Sequence, residues 1–342
     1  MKAVRVHAYQ KPATLDEVDE PRLRGPLDVV VEVGGAGLCR TDLHIIEGQW
    51  AEKSGVQLPY TIGHENAGWV REVGSAVSNV AVGDAVICHP LATCGLCAAC
   101  RAGDDVHCEK STFPGISADG GMAEYLLTNA RSVLKLVPGL EPADVAALAD
   151  AGLTAYHAVR KAVPLLRPGS HVVNIGAGGL GHIGVQCLLA MTAAEITVVD
   201  RNEAALALAR DLGAHHAVLA GGGQVAAVRE ITKGGAHLVI DYVGENGTEA
   251  EGVAMLRRAG SYFVVGYGGH VDIPTIDIIS TEINVIGNLV GSYTDLSELM
   301  SLAAAGKVKL HTRRYGLDEY ARAIEDLENG RVRGRAILVP GH

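Results

Sequence analysis

Hydrophobic and polar positions follow two different patterns along the chain. Before about residue 150, short β-branched runs such as DVVVEVGGAG, HENAGWVREVG and VGDAVICHP are separated by glycine and polar residues. Runs of this kind, bounded by turn residues, are typical of strands. The first part of the chain is therefore predicted to form a compact β-rich domain.

From about residue 153 the pattern changes to strands that alternate with helices. HVVNIGAG predicts a buried strand, LGHIGVQCLLAMTA an apolar helix, EITVVD a second strand, and NEAALALARDLGA a helix that ends at a glycine. HLVIDYVG and GVAMLRRAGSYFVVGYG continue the alternation. Because strand–helix–strand units join parallel strands by right-handed crossovers, this region is predicted to be a parallel sheet covered by helices.

After about residue 290 the pattern predicts two amphipathic helices, DLSELMSLAAAGKV and LDEYARAIEDLENG, and a final strand, RAILVP. The GGGQ run at 221–224 is interpreted as a loop between a strand and a helix rather than a linker. With 342 residues the chain has the length of about two domains. The predicted fold class is α/β.

Composition excludes several classes of protein. Apolar residues make up 48% of the chain and charged residues 20%, as in globular domains, so global disorder is not expected. Lys and Arg total 29 against 39 for Asp and Glu, a net charge of −10 that disfavours nucleic-acid and anionic membrane partners. The sequence shows no secretory apolar core and no long apolar run, so a cytoplasmic location is expected.

Seven cysteines occur, and four of them form the run C-x2-C-x2-C-x7-C. They are Cys94, Cys97, Cys100 and Cys108. An odd number of cysteines, clustered in a long chain without a signal, indicates metal binding in a reducing compartment rather than disulfides. Four thiolates can close on one zinc and leave no open position, which predicts a structural zinc. An iron–sulfur cluster is the competing interpretation, although the usual Cys-Pro is absent and the last gap is long.

A glycine-rich run follows the first strand of the second region. Gly176, Gly178 and Gly181 match G-x-G-x-x-G between VVNI and a helix, and Asp200 ends the next strand. In this context the glycine backbone approaches a pyrophosphate at the start of the helix. Asp200 can accept hydrogen bonds from both ribose hydroxyls and would repel a 2′-phosphate, so NAD is favoured over NADP. The adjacent Arg201 could tolerate such a phosphate.

The region around Cys39 and His64 completes a family resemblance. Residues 63–77 read G-H-E-x2-G-x5-G-x2-V and resemble the signature of the zinc-containing medium-chain alcohol dehydrogenases. The C-R-T-D-x-x-H run at 39–44, the four-cysteine run, the glycine loop and the closing GRAILVP follow in that family's order over essentially the whole chain. The resemblance implies a GroES-like β-rich catalytic domain, residues 1–152 with 290–342, and an inserted doubly wound Rossmann domain for NAD, residues 153–289.

The resemblance also implies a catalytic zinc held by Cys39, His64 and Asp150, and therefore two zinc ions per chain. Asp150 stands where many members carry cysteine, as in the bacterial subgroup that acts on secondary alcohols. A single thiolate ligand should leave the zinc a stronger Lewis acid. Glu65 is expected to approach the metal during ligand exchange, and Asp42 to hold the free ring nitrogen of His64.

The activity implied by the resemblance is hydride transfer between an alcohol carbon and the nicotinamide of NAD, with the zinc lowering the pKa of the alcohol. The proton is expected to leave through the Thr41 hydroxyl, the nicotinamide ribose and then His44 at the surface. Arg40 and Arg335 are expected at the pyrophosphate, Thr154 and Leu180 behind the nicotinamide. The full set of expected cofactor contacts is Arg40, Thr154, Gly176, Gly178, Gly179, Leu180, Gly181, Asp200, Arg201, Val265 with Gly266, and Arg335.

The substrate pocket is expected to be lined by Trp50, Leu91 and Ile116, which are all apolar. That lining predicts an uncharged, secondary alcohol or its carbonyl compound. Leu91, where members often carry an aromatic residue, would admit branched groups. The resemblance further implies a homo-oligomer, either a dimer or a tetramer.

Two alternatives differ in their pocket or metal residues. A polyol or amino-alcohol dehydrogenase of the same superfamily would show polar pocket residues and a different metal set. A zinc-free quinone reductase or lens structural protein, which belongs to another functional class, would not retain Cys39, His64 and Asp150 together with the four-cysteine run. The four-cysteine run could also belong to a non-catalytic binding module. The other motifs along the chain disfavour that interpretation.

Overall fold

The computed structural model describes residues 1–341, which form two compact units. The first unit contains Met1–Ala151, Ser292–Ala304 and the C-terminal segment from Leu310 onwards. The second unit contains Gly152–Gly291 and Ala305–Lys309. The chain therefore leaves the first unit after Ala151, returns to it at Ser292, and contributes one more short segment to the second unit before its C-terminal part.

The strands follow in chain order. They are β1 (Lys2–Val6), β2 (Thr14–Glu17), β3 (Asp28–Leu38), β4 (Tyr60–Thr61), β5 (Glu65–Val73), β6 (Ala85–Cys88), β7 (Tyr125–Asn129), β8 (Val133–Lys135), β9 (His171–Ile175), β10 (Glu195–Asp200), β11 (His216–Leu219), β12 (Ala236–Asp241), β13 (Leu256–Val264), β14 (Asn284–Gly287), β15 (Thr312–Gly316) and β16 (Arg335–Val339).

The helices are short and lie in both units. They are α1 (Arg40–Glu47), α2 (Ala51–Ser54), α3 (Ala98–Arg101), α4 (Pro142–Val145), α5 (Ala151–Ala162), α6 (Gly181–Met191), α7 (Glu203–Asp211), α8 (Gln224–Ile231), α9 (Thr248–Ala254), α10 (Thr275–Thr281), α11 (Tyr293–Ala304) and α12 (Tyr320–Glu328). Single 3₁₀ turns cover Asp105–His107, Ala130–Ser132, Ala146–Leu148, Val163–Leu165 and Leu317–Glu319.

The first unit is built from two sheets. A small antiparallel sheet has the order β2-β1-β4, and a larger sheet has the order β15-β16-β3-β5-β6-β8, with β7 also pairing with β3. Strand β3 pairs with β5, β7 and β16, so nearly all of its eleven residues are buried. This explains why its sequence is an almost continuous apolar run. Valine side chains are the most frequent in the core around it, followed by alanine and leucine.

The second unit is a parallel six-stranded sheet with the order β11-β10-β9-β12-β13-β14. This is the strand order of a Rossmann dinucleotide-binding sheet, in which β9 and β12 flank the point where the order reverses. The predicted parallel sheet is therefore confirmed. The glycines at 221–223 lie in the loop between β11 and α8, as predicted, and Gln224 begins α8.

The structure also bears on membrane insertion. Among residues 1–341, no helix combines the length and the apolar character needed to cross a bilayer.

Candidate active site

Four ligand-bearing side chains meet in the first unit. Cys39 follows β3, His64 precedes β5, Glu65 begins β5, and Asp150 precedes α5. One ligand atom from each lies within 4.8 Å of the others. Zinc bonds of about 2.0–2.3 Å place the ligand atoms of a tetrahedral site about 3–4 Å apart. The set therefore has the dimensions of a site for a single zinc ion.

His64 lies between two carboxylates. Its Nδ1 is 3.3 Å from Oδ1 of Asp42, and its Nε2 is 3.4 Å from Oδ2 of Asp150. The ring is 1% exposed, and neither nitrogen is in hydrogen-bonding geometry with any residue of the described chain. Burial acts to lower the pKa of His64, but the two carboxylates raise it well above its ordinary value. The pocket thus favours a positive charge, and the unpartnered Nε2 fits a metal ligand.

Glu65 is buried beside this set and is compensated by Arg335. The guanidinium of Arg335, only 3% exposed, contacts Oε2 of Glu65, and Oε1 accepts a hydrogen bond from the amide of Ala151 at 3.2 Å. Burial raises the pKa of Glu65, and the charge of Arg335 opposes that rise. Arg335 is thus engaged inside the first unit, and its expected contact with a pyrophosphate stays a prediction.

The four cysteines of the sequence run form a second compact set. The sulfur atoms of Cys94, Cys97, Cys100 and Cys108 lie within 4.8 Å of one another. The amides of Leu96 and Cys97 donate to the sulfur of Cys94 at 3.4 Å, and together they lower the pKa of Cys94 to about 6. Amide–sulfur hydrogen bonds stabilise thiolates, the form that binds metal. The spacing fits one ion with Zn–S bonds of about 2.3 Å.

The glycine loop of the second unit has the geometry that a dinucleotide requires. A Cβ at Gly181 would overlap the carbonyl oxygen of Gly176, so only glycine allows the loop to close onto α6. Oδ2 of Asp200 accepts a hydrogen bond from the amide of Ala177 at 2.7 Å. The carboxylate therefore lies directly beside the loop, where a ribose would bind. The exposed Gly178 leaves the outer side of the loop open.

Comparison with known proteins gives these features a context. The family described as "Alcohol dehydrogenase GroES-like domain" matches residues 25–138, and the family described as "Zinc-binding dehydrogenase" matches residues 179–305. An NAD-dependent alcohol dehydrogenase of Sulfurisphaera tokodaii is 37% identical, with 99% of this chain and 100% of that protein aligned. The chain belongs to the zinc-containing medium-chain alcohol dehydrogenase family. It is an oxidoreductase of that kind, and the predicted GroES-like and Rossmann domains are confirmed.

Other members of the family are similarly close. The crystal structure of the alcohol dehydrogenase from the archaeon Aeropyrum pernix is 47% identical, with a TM-score of 0.97 over 99% of this chain and 100% of that chain. A D-arabinose 1-dehydrogenase (NADP(+)) of Saccharolobus solfataricus is 33% identical over 99% of this chain and 97% of that protein. The family thus contains relatives with different named cofactors and substrates.

Helix α1 carries the residues expected to move the proton. Cys39 precedes the helix, and Oδ2 of Asp42 accepts a hydrogen bond from the Cys39 amide at 2.8 Å. Arg40 is exposed and Thr41 is half-buried. The expectation that His44 lies at the surface is wrong, because its side chain is only 9% exposed. Residues 40–47 form helix α1, and the buried side of that helix includes His44.

Phe113 is a site residue that the sequence did not reveal. Its ring contacts the ring of His64 edge-on, with centroids 5.9 Å apart. The amides of Ile116 and Ser117 donate to its carbonyl, and its own amide donates to the Ser117 hydroxyl at 2.8 Å. This turn places Ile116, an expected pocket residue, in the same loop. No metal or glycine motif includes Phe113, so sequence motifs alone could not single it out.

The remaining expected residues lie in both units. Leu91 is buried, and its carbonyl accepts a hydrogen bond from Ser132 at 2.8 Å; Trp50 packs against the core of the first unit. In the second unit Thr154 is buried, whereas Gly179, Leu180 and Val265 are half-buried and Arg201 is exposed. The amides of Val265 and Gly266 both donate to the carbonyl of Asp241. These two amides are therefore not available to the carboxamide group of a nicotinamide. Of the backbone groups of Val265 and Gly266, only the carbonyl oxygens could accept a hydrogen bond from it.

Removing Arg335 should destabilise the first unit through Glu65. We expect Arg335→Met to lower the free energy of unfolding by about 3–5 kcal/mol, because it leaves a buried carboxylate without its countercharge. Glu65→Gln combined with Arg335→Met should recover most of that loss. Urea unfolding at constant zinc measures both variants. Equal stability of Arg335→Met and the wild type would contradict the prediction.

Proposed function

We propose that this chain is a zinc- and NAD-dependent dehydrogenase that interconverts uncharged secondary alcohols with their ketones. The observation that carries the proposal is the compact set of Cys39, His64 and Asp150 beside Glu65, in a chain of this family. A bound zinc would supply the Lewis acidity that lowers the pKa of an alcohol. Relatives named NAD-dependent alcohol dehydrogenases support the reaction class.

Residues of this chain hold and move charge around that site. Cys39, His64 and Asp150 would hold the zinc, while Asp42 faces the outer nitrogen of the His64 ring. We propose that the Thr41 hydroxyl accepts the proton of the alcohol and passes it towards His44. The two residues are three apart on α1 and so lie on neighbouring positions of one helix face. His44 is buried, so it is not the last group on the proposed route. The proton must pass from His44 through at least one further group before it reaches solvent.

We propose two zinc ions per chain with separate roles, one catalytic and one structural. The two ligand sets support this division, since the first contains a single thiolate and two carboxylates, whereas the second contains four thiolates. A four-sulfur site has no position left for a substrate. The dimensions of the second set favour a single ion over an iron–sulfur cluster.

The two sites should respond differently to loss of a ligand. We expect Cys39→Ser to abolish activity and leave a folded protein, and Cys97→Ser to lower the thermal midpoint, because zinc binding there is coupled to folding. Metal analysis, thermal unfolding and activity assays of both variants give the measurement. Cys187→Ser, which changes a buried thiol outside either set, is the control. Equal losses of stability in the first two variants would count against separate roles.

We propose that NAD is preferred over NADP. The support is the position of Asp200 beside the glycine loop, where its carboxylate would face a ribose and repel a 2′-phosphate. Arg201 is exposed next to it and is the one neighbour in sequence that could favour a phosphate.

The cofactor preference should depend on Asp200. We expect a higher kcat/KM with NAD than with NADP, and a loss with NAD of roughly 10–100-fold in Asp200→Ala, since a charged hydrogen bond contributes about 1.5–3 kcal/mol. The matched change Arg201→Ala should leave the preference for NAD intact. Steady-state kinetics of the wild type and both variants, with NAD and with NADP, gives the measurement. A wild-type preference for NADP would show that a cation outweighs the carboxylate.

We propose an apolar substrate pocket formed by Phe113 together with Trp50, Leu91 and Ile116. The contact of Phe113 with His64 places an aromatic ring beside the metal set, and Leu91 and Ile116 are buried apolar side chains of the same unit. An apolar lining favours uncharged substrates and discriminates among them weakly, by about 1–3 kcal/mol per methylene.

Substrate preference should therefore be graded and broad. We expect kcat/KM to be highest for 2-alkanols and aryl carbinols, lower for n-alkanols and lowest for polyols. Leu91→Trp should reduce the size of the accepted substituent, and Trp50→Ala should extend it. Kinetics across this matched series gives the measurement. A maximum on a polyol or sugar would favour the alternative activity, as in the D-arabinose dehydrogenase relative.

We propose that the protein is a homo-oligomer in a reducing, cytoplasmic compartment. All seven cysteines are free, which suits reducing conditions. In the second unit, β14 is an end strand of the sheet, and apolar side chains on it and on α10 are exposed. These include Val285 at 42%, Ile276 at 65% and Ile279 at 71%. Exposed apolar strand edges are sites of association.

The solution mass should exceed the 35.6 kDa of one chain. We expect Val285→Lys combined with Ile279→Asp to shift the protein towards monomer, because charge would be buried in the interface. Val82→Lys, at a residue of the first unit that is 63% exposed, is the matched control. Light scattering of the three proteins distinguishes these outcomes. A monomeric wild type would contradict the proposal.

A further inference from the structure

A row of titratable side chains crosses the amino end of the parallel sheet. His216 begins β11, Glu195 begins β10, His171 begins β9, and His237 is the second residue of β12. These four strands are adjacent, and Glu195 lies opposite His171, with His237 next to His171 on the other side. His216 lies opposite Thr197, two residues beyond Glu195 and therefore on the same face of the sheet. The row lies at the end of β9 opposite to the glycine loop, so the proposed cofactor contacts do not include it.

The carboxylate of Glu195 lies between two imidazoles. Oε1 is 2.5 Å from Nε2 of His216, and Oε2 is 3.7 Å from Nδ1 of His171. That Nδ1 is buried and has no hydrogen-bond partner within the described part of the chain. A buried polar atom without a partner is costly, so this nitrogen is suited to a ligand.

His237 fixes the orientation of the His171 backbone and ring. Its Nδ1 accepts a hydrogen bond from the His171 amide at 3.1 Å, and the two rings stack with centroids 6.3 Å apart. His237 thus uses its Nδ1 as an acceptor for the His171 amide. It supports His171 without competing for Glu195.

We propose that His171, Glu195 and His216 bind a divalent transition-metal ion such as Zn²⁺ or Ni²⁺. Imidazole nitrogens and a carboxylate oxygen are ligands that these ions take, with bonds of about 2.0–2.2 Å that place ligand atoms about 3.4 Å apart. The distance from Oε2 to Nδ1 of His171 is already close to that value. The distance from Oε1 to Nε2 of His216 must increase by about 1 Å.

The site can make that adjustment because its outer members are accessible. The side chains of His216 and Glu195 are 37% and 40% exposed. Among the residues that the structure describes, only the two sets of the first unit have all their ligand atoms within 4.8 Å. Binding at this end of the sheet therefore requires the accessible side chains of His216 and Glu195 to move towards His171, and the affinity is lower than at a preformed site. The bound ion would link three neighbouring strands.

The test uses the full chain with its zinc sites loaded and Ni²⁺ as the probe. Calorimetric titration at neutral pH should show one additional Ni²⁺ per chain, without release of zinc, and Ni²⁺ should raise the thermal midpoint. His171→Asn and His216→Asn should each weaken Ni²⁺ binding at least about tenfold, as expected for loss of one ligand. Their dehydrogenase activity without Ni²⁺ should stay at the wild-type level.

His107→Asn is the matched control, since it removes an exposed imidazole that lies 2.9 Å from a carboxylate of Asp104, outside the row. It should bind Ni²⁺ as the wild type does. The proposal is overturned if the wild type takes up no additional Ni²⁺ at about 1 mM. It is also overturned if uptake is matched by zinc release, or if His171→Asn and His216→Asn bind Ni²⁺ as tightly as the control.

Discussion

The ion pair between Glu65 and Arg335 is the interaction on which the first unit depends. It joins side chains 270 residues apart, at the starts of β5 and β16, and both of these strands pair with β3 between them. The pair can form across β3 because Gly37 lies opposite Glu65, where any Cβ would overlap the carboxylate. The same three strand ends position Cys39 and His64. Charge balance and metal geometry are therefore set by one local arrangement of backbone.

This arrangement explains how several ionisable side chains can be buried together around Cys39 and His64. His64 and Glu65 are adjacent in sequence and point to different partners, the first to Asp42 and Asp150 and the second to Arg335. Each buried carboxylate thus faces a cation or a group that can become one. Most of the core side chains around them are aliphatic and lie on regular strands, so few of them can form alternative hydrogen bonds with the polar groups.

Sequence motifs predicted the parts of the structure that depend on local spacing. The four-cysteine set, the glycine loop and the position of Asp200 each follow from residues close together in the chain or from regular alternation of strand and helix. The ion pair of Glu65 and Arg335 and the contact of Phe113 with His64 did not follow. Both depend on strand register and loop packing over long separations, which leave no periodic signal. The helix that buries His44 was also missed, because its eight residues follow a strand without a typical capping residue.

Asp42 has a consequence for how this protein can change during evolution. One of its oxygens caps the start of α1 at the Cys39 amide, and the other faces the ring of His64. A single side chain therefore serves both the integrity of a helix and the orientation of a ligand. Replacement by asparagine would keep an acceptor for the cap and remove the charge beside the imidazole. Mutational paths through this position are narrow, since most other substitutions remove the cap and the charge together, and even asparagine retains only the cap.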